Sequence, residues 1–508
     1  MTRRPLGGLL AAVLVAACTS GPAGSPSAVV AATPVPTVES PTTSVRPPIA
    51  LDGTPLQSCR LGGIEAVCGY LTVPEDPATP AGRTIDLHVG VIPAISSDPE
   101  PDPVFMLAGG PGGAATESLA WTAATYQGIH LTRDIVLVDQ RGTGGSNELM
   151  LDAPPDVSGL PGDEAQATMG AWVADQLAGL EADPRFYTTS VAMDDVDLVR
   201  EALGYDRINL YGGSYGATAA QYYIRQYDDH LRAVVLDGAT LLDVPVFELI
   251  APASQRALDI AFDRCAADPA CAAEYPDVRA EFDRALELAS AEPITTGVTD
   301  PANGEPVVID RIAFTSAVHG ALITADGVAA LPLLVHAAAA GRWDEVATAI
   351  LNASGGAPPS DGVPVMSGVI RCSEAWARFD VEEVTRQGAD SYYLEAELAI
   401  ARNQADGCQF APPGIVPPDY AEPARSDVPV LLLVGEADPQ DPPSNIADAP
   451  KDFPNSLTVV APGHGHTVAH LGCLPTVVDA FIAAGTVEGL DTSCVDEGGV
   501  PLPPFRLP

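Results

Sequence analysis

Basic side chains are scarce in this chain: 25 Lys and Arg stand against 67 Asp and Glu in 508 residues, a formal net charge of −42. That balance removes the attraction on which nucleic-acid binding rests and disfavours anionic lipid surfaces as partners. The acidic excess reads first as solubility outside the cytoplasm; an acidic rim that draws in the amino end of a peptide is the other reading. No C-x-x-C pair occurs, so a clustered zinc or redox motif is missing. The glycine-rich run Ala108-Gly109-Gly110-Pro111-Gly112-Gly113 is not followed by Lys-Ser/Thr, which excludes a Walker phosphate loop. No internal run is long and apolar enough for a transmembrane helix.

Hydrophobic residues make up 46% of the chain and fall into periodic segments, so a sizeable core can form. The length suits a large α/β core with an inserted domain as well as two separate units, and the rhythm of elements favours the insertion. Residues 84–95 alternate apolar and polar side chains as a half-buried strand does. Buried strands are predicted at 103–107, 135–138, 207–211, 233–236, 428–434 and 457–460, and a helix over 191–203 ends at Gly204. Strands alternating with helices imply a mostly parallel sheet covered on both faces. Between about 241 and 425 the rhythm turns helical, as a cap over a pocket would. The expected layout is 1–18 leader, 19–50 tether, 51–240 first part of the core, 241–425 helical cap and 426–508 the rest of the core.

Arg3 and Arg4 precede an apolar run from Leu6 to Val15, and Val15-Ala16-Ala17-Cys18 follows. This resembles a bacterial lipoprotein signal, which implies that Cys18 becomes the lipidated first residue of an exported protein held to a membrane of the cell envelope. An ordinary cleaved signal is the alternative. Residues 19–50, rich in Pro, Ser, Thr and Ala without periodicity, read as a disordered tether. The eight remaining cysteines favour disulfides in an exported chain. The simplest connectivity joins Cys59 to Cys68, Cys265 to Cys271, Cys372 to Cys408, and Cys473 to Cys494.

Gly212-Gly213-Ser214-Tyr215-Gly216 stands between a predicted strand and a helix start, the context of a nucleophile elbow. The glycines let the turn be tight enough to expose Ser214 at the head of a helix. The loop 108–113 then offers backbone N–H groups to a developing oxyanion, with a plain turn as the alternative. A carboxylate must orient the histidine of such a site. Asp438, just past a strand end, suits that task, with Asp441 and Asp237 as competitors; His464, His466 and His470 compete for the base. His319 and His336, in apolar surroundings, read as structural or surface residues.

Taken in order, Gly-Gly-Pro-Gly-Gly (109–113), Asp-Gln-Arg-Gly-x-Gly-x-Ser (139–146) and Gly-Gly-Ser-Tyr-Gly (212–216) resemble the prolyl-aminopeptidase and tripeptidyl-aminopeptidase branch of the α/β-hydrolase superfamily. The likeness runs from about Cys59 to Cys494. It implies an α/β-hydrolase fold, architectural roles for Asp139 and Arg141, the acid at Asp438 within Gly-Glu-x-Asp-Pro, and the base at His466 after a Gly-x-Gly step. It implies an oxyanion hole at Gly110 and Tyr215, although Leu107-Ala108 replace the His or Asn-Pro common in relatives. Ile370-Arg371-Cys372-Ser373-Glu374 resembles a segment near their active sites, so Glu374 is expected to receive a peptide's α-ammonium, against the plainer reading of a solvated glutamate. The function so implied is a serine exopeptidase that removes one to three residues from the amino end of peptides, with no metal or cofactor. A carboxylesterase or lipase would use the same triad, and a non-catalytic binding lipoprotein would keep only the scaffold. The sequence says nothing of oligomeric state.

Overall fold

The computed structural model describes residues 47–507, apart from 156, 158–161, 302, 354–361 and 412. The leader, Cys18 and nearly all of the tether lie outside the described residues. The compact unit spans Arg46–Pro508.

Nine strands form its sheet: β1 (Gln57–Leu61), β2 (Ile64–Pro74), β3 (Thr84–Ile92), β4 (Val104–Leu107), β5 (Ile135–Val138), β6 (Ile208–Gly213), β7 (Leu231–Asp237), β8 (Val430–Gly435) and β9 (Ser456–Ala461). Their order is β9-β8-β7-β6-β4-β5-β3-β2-β1. The six from β9 to β5 pair in parallel, and β3, β2 and β1 close the other edge antiparallel. From β4 the chain builds outward through β5, and from β6 it builds the opposite way through β7, β8 and β9. The switch point therefore lies between β4 and β6, where open α/β sheets bind ligands beyond their strand ends.

Burial on both sides explains the unbroken apolar runs of the parallel strands. In β7, Val234 and Leu236 enter the core on one face, while Ala233 and Val235 enter the core on the other. The first face is covered by α1 (Thr189–Ala202) and α2 (Tyr215–Tyr227), through side chains such as Met193, Val196 and Tyr223. The second is covered by α5 (Leu474–Ala484), near the C-terminal end of the chain, through Val477, Phe481 and Ile482. A third core, built on Phe262, Phe282, Phe314 and Trp343, belongs to the helices between β7 and β8. Two of those helices reach the site: α3 (Arg311–Ile323) and α4 (Leu394–Cys408).

The short strand Met150–Asp152, inside the expected first part of the core, pairs antiparallel with Gly362–Pro364 of the expected cap. No periodicity at 150–152 announces this, because a three-residue strand is too short to show one. The four disulfides join Cys59–Cys68, Cys265–Cys271, Cys372–Cys408 and Cys473–Cys494. Among the described residues no helix is long and apolar enough to cross a membrane.

Candidate active site

Ser214 occupies the turn from β6 into α2 with φ 56° and ψ −129°, a left-handed conformation that a serine adopts only under constraint. The constraint comes from its neighbours. A Cβ on Gly212 would lie 2.1 Å from the carbonyl oxygen of Gly216, and one on Gly216 would lie 2.2 Å from that of Leu107. The Ser214 N–H donates to the Asp237 carbonyl at 2.8 Å, which ties the turn to β7. Tyr215 supplies the first amide of α2, one of the N-terminal N–H groups that a helix leaves without an internal acceptor. The loop after β4 abuts the serine: a Cβ on Gly109 would be 3.2 Å from the Ser214 Cβ. Gly110, at φ 120°, lines the same cavity as Ser214. A serine side chain and two residues whose amides sit at a helix start and in a loop thus line one space, the layout that oxyanion stabilisation would need.

Asp438 lies just past β8 and is fully buried. Its Oδ1 accepts the N–H groups of Gln440 and Asp441, each at 2.9 Å, and its Oδ2 is 2.8 Å from His466 Nδ1. Burial would raise its pKa, yet the His466 charge and hydrogen bond hold it below the usual carboxylate range. Burial acts on His466 to lower its pKa, but the Asp438 charge and hydrogen bond, with Asp441 and Asp237, push it up to about 9. The other ring nitrogen, Nε2, is buried and has no hydrogen-bond partner among the described residues.

The competing residues have other work. Asp237 accepts from the N–H groups of Val468 and Ala469 and from the Tyr211 hydroxyl, so it fastens the histidine loop to β7. His464 is buried with Nε2 on the Val500 carbonyl, and His470 is exposed. Asp441 stays close, with Oδ2 3.6 Å from His466 Nδ1. Asp438, Asp441 and His466 form the one group among the described residues whose spacing could hold a metal, but the Asp438–His466 hydrogen bond already occupies two of its donor atoms.

Support for the loops is built from buried charge. Arg141 places two guanidinium nitrogens 2.7 and 2.8 Å from the Asp195 carboxylate and donates to the Glu75 and Phe186 carbonyls. Asp139 accepts from the Thr116 N–H and hydroxyl and from the Gly145 N–H, and meets His88 Nδ1 at 3.0 Å. Such fully paired ions fix geometry at the strand ends.

A cavity of about 300 Å³ opens beside Ser214, between the strand ends and the helices that lie between β7 and β8. Glu374 stands on its wall, 5% exposed, which sets aside the reading as a solvated glutamate. Its carboxylate accepts from the Thr189 N–H at 2.8 Å and hydroxyl at 2.6 Å, and from Tyr222; burial nonetheless pushes its pKa up to about 7. No motif singles out Glu397 on α4. It is equally buried on the same cavity, and no side chain among the described residues donates to its carboxylate; the Ala251 N–H is the donor turned toward it. Burial pushes its pKa up to about 8. A signal was present: Tyr393, Glu397 and Ala401 recur at four-residue spacing and all three are buried, so a glutamate lies on the inward face of α4. His319 also lines the cavity, with Nδ1 2.5 Å from Ser254 Oγ and its ring stacked on Tyr393, where burial lowers its pKa to about 4. His336 instead pairs with Glu281 within the helices between β7 and β8 and does not line this cavity.

Comparison with known proteins bears on this arrangement. A family described as alpha/beta hydrolase fold matches residues 102–264, and one described as TAP-like protein matches 395–494. A tripeptidyl aminopeptidase of Streptomyces lividans is 27% identical over 475 residues, covering 84% of this chain and 83% of that protein. The serine protease Hip1 of Mycobacterium tuberculosis is 28% identical over 192 residues, 34% of this chain and 36% of its own. Among solved structures, a proline iminopeptidase of Mycobacterium smegmatis aligns at 16% identity and a TM-score of 0.36, covering 82% of this chain and 98% of its own.

Proposed function

We propose, for a chain that is a serine peptidase of the α/β-hydrolase family in its tripeptidyl-aminopeptidase-like branch, that it is an exopeptidase releasing units of one to three residues from the amino end of peptides. In this reading Ser214 Oγ attacks the scissile carbonyl while His466 Nε2 takes its proton, and Asp438 holds the imidazole in the required tautomer. The N–H groups of Tyr215 and Gly110 receive the oxyanion. His466 then returns the proton to the departing amine, and water, activated by the same imidazole, releases the acyl group.

The observation that carries the exopeptidase reading is Glu397, a buried carboxylate with no charged partner among the described residues, met only by the Ala251 N–H, facing the cavity that holds Ser214. A buried carboxylate left alone is driven toward its neutral form, and an arriving ammonium reverses that shift, so an α-amine is the natural counter-ion. Glu374, expected from the sequence to receive the amine, is engaged by Thr189 and is better cast as the anchor of that wall. A cavity of about 300 Å³ also limits how much chain can lie beyond the scissile bond. A carboxylesterase remains the second reading because Leu242, Val244, Phe247 and Ile250 give the cavity an apolar side.

Export and lipid anchoring at Cys18 belong to the same proposal; they rest on Arg3, Arg4 and the apolar run before Cys18. The test of function is hydrolysis of chromogenic amides with one, two or three residues and a free amino end, beside N-blocked amides and short- and long-chain esters, with Ser214→Ala as control. Preference for free-amine amides, lost in the control, is expected and gives the register. Ester turnover without amide turnover would move the assignment to an esterase.

A further inference from the structure

The loop after β8 carries a second carboxylate toward the same imidazole. Asp438 Oδ2 lies 2.8 Å from His466 Nδ1 and Asp441 Oδ2 lies 3.6 Å from it, beyond hydrogen-bond length but well inside Coulomb range. Asp441 is not free to turn away. Its Oδ1 accepts from Thr240 Oγ1 at 2.5 Å, Thr240 Oγ1 in turn accepts from Asn445 Nδ2 at 2.9 Å, and the Asp441 N–H donates to Asp438 Oδ1 at 2.9 Å. The two carboxylates therefore share one rigid frame around Nδ1, and Asp441 alone of the pair also lines the cavity beside Ser214.

We infer that Asp441 is a positioning residue for His466, a second anion on its Nδ1 edge that stabilises the imidazolium and so sets the pH at which Nε2 becomes available as a base. The inference rests on the Ser214–His466–Asp438 reading above. The charged and titratable groups that face the ring can be named. Asp438 from the β8 loop orients it. Asp237 at the end of β7 is held by three donors. His319 on α3, from the cap, is kept neutral because burial lowers its pKa to about 4. Asp441 is the one among them that can be neutralised without breaking the orienting hydrogen bond or the loop that carries the histidine. Its own pKa is pushed up to about 6 by burial, against the pull of the His466 charge. Above that pH two negative charges flank one imidazole, which accounts for part of the rise of His466 to about 9.

The consequence is an alkaline ascending limb in kcat/KM, because a general base must first lose its proton. Asp441→Asn removes one flanking charge and should move that limb down by about one pH unit, while Asp441→Glu should restore much of the wild-type position. The experiment has two readouts. One is the pH profile of kcat/KM for wild type, Asp441→Asn and Asp441→Glu on the best free-amine amide. The other is the NMR titration of the His466 ring in a Ser214→Ala background, with and without Asp441→Asn, which needs no turnover. The expected result is the same downward shift in both. Should Asp441→Asn fold poorly, the smaller neutral Asp441→Ser carries the same expectation. Unchanged titration of the His466 ring in the neutral variant would overturn the inference. Failure of the catalytic reading would look different, with wild type and Ser214→Ala alike on every substrate.

Discussion

Ser214 holds a backbone conformation that its own side chain disfavours, and it does so because β6 and α2 approach too closely for a side chain at Gly212, and α2 and β4 too closely for one at Gly216. That residue was legible in the sequence, as were Asp438 and His466, because each stands at a fixed offset from a strand end and the chain order Ser, Asp, His is that of the superfamily. Asp438→Asn should keep the fold and lower kcat by about 10⁴, by favouring the wrong imidazole tautomer; circular dichroism and steady-state kinetics check both halves. Glu397 was not legible as a site residue, since its meaning lies in burial without a charged partner among the described residues, which only three dimensions reveal. Its pKa is raised from 4.5 to about 8 by burial. The folded protein therefore keeps a proton over a range where the unfolded chain has lost it, so this group's contribution to stability is full below about 4.5 and is lost as the pH rises through about 8. Between pH 5 and 8.5 the wild-type Tm should fall with pH more steeply than that of Glu397→Gln, and parallel curves would show that Glu397 is not held neutral.

The strands and helices that frame the site were legible for a common reason. Burial on both faces writes β5, β7 and β8 as short apolar runs, and one-sided burial gives α1 its helical period. Elements whose partners lie far away in sequence were not legible, such as Met150–Asp152, nor was the π-helical form of Arg371–Ala375, although the resemblance had singled out that segment and Glu374 within it. Nor did any local pattern show that the end of α3 grips the histidine loop. The His466 N–H donates to the Ile323 carbonyl at 2.8 Å, and a Cβ on Gly465 would come within 2.3 Å of the Leu322 oxygen. Those neighbours are backbone and cannot swing aside, so Gly465→Ala must displace either the cap or the loop. It should lower kcat by about a hundredfold while free-amine selectivity persists, because a shift of about 1 Å in the group that works with Ser214 has that order of effect.

Across the whole molecule, Cys372–Cys408 ties the turn bearing Glu374 to the end of α4, the helix bearing Glu397. The pairing was legible because simple neighbour connectivity exhausts the eight cysteines; its bearing on the cavity was not. A loop with a sequence separation of 36 implies a stabilisation of about 3–4 kcal/mol from chain entropy. Cys372→Ser with Cys408→Ser should therefore lower the denaturant midpoint and weaken the preference for free-amine over N-blocked substrates, while leaving fluorophosphonate labelling of the serine intact. The account as a whole depends on one side chain doing the chemistry. Its most direct test is to treat the protein with a fluorophosphonate, digest it and locate the adduct by mass spectrometry. A single adduct on Ser214, absent in Ser214→Ala and slowed in His466→Ala, is the predicted result; an unlabelled Ser214 in folded protein, or an adduct on another residue, would contradict it.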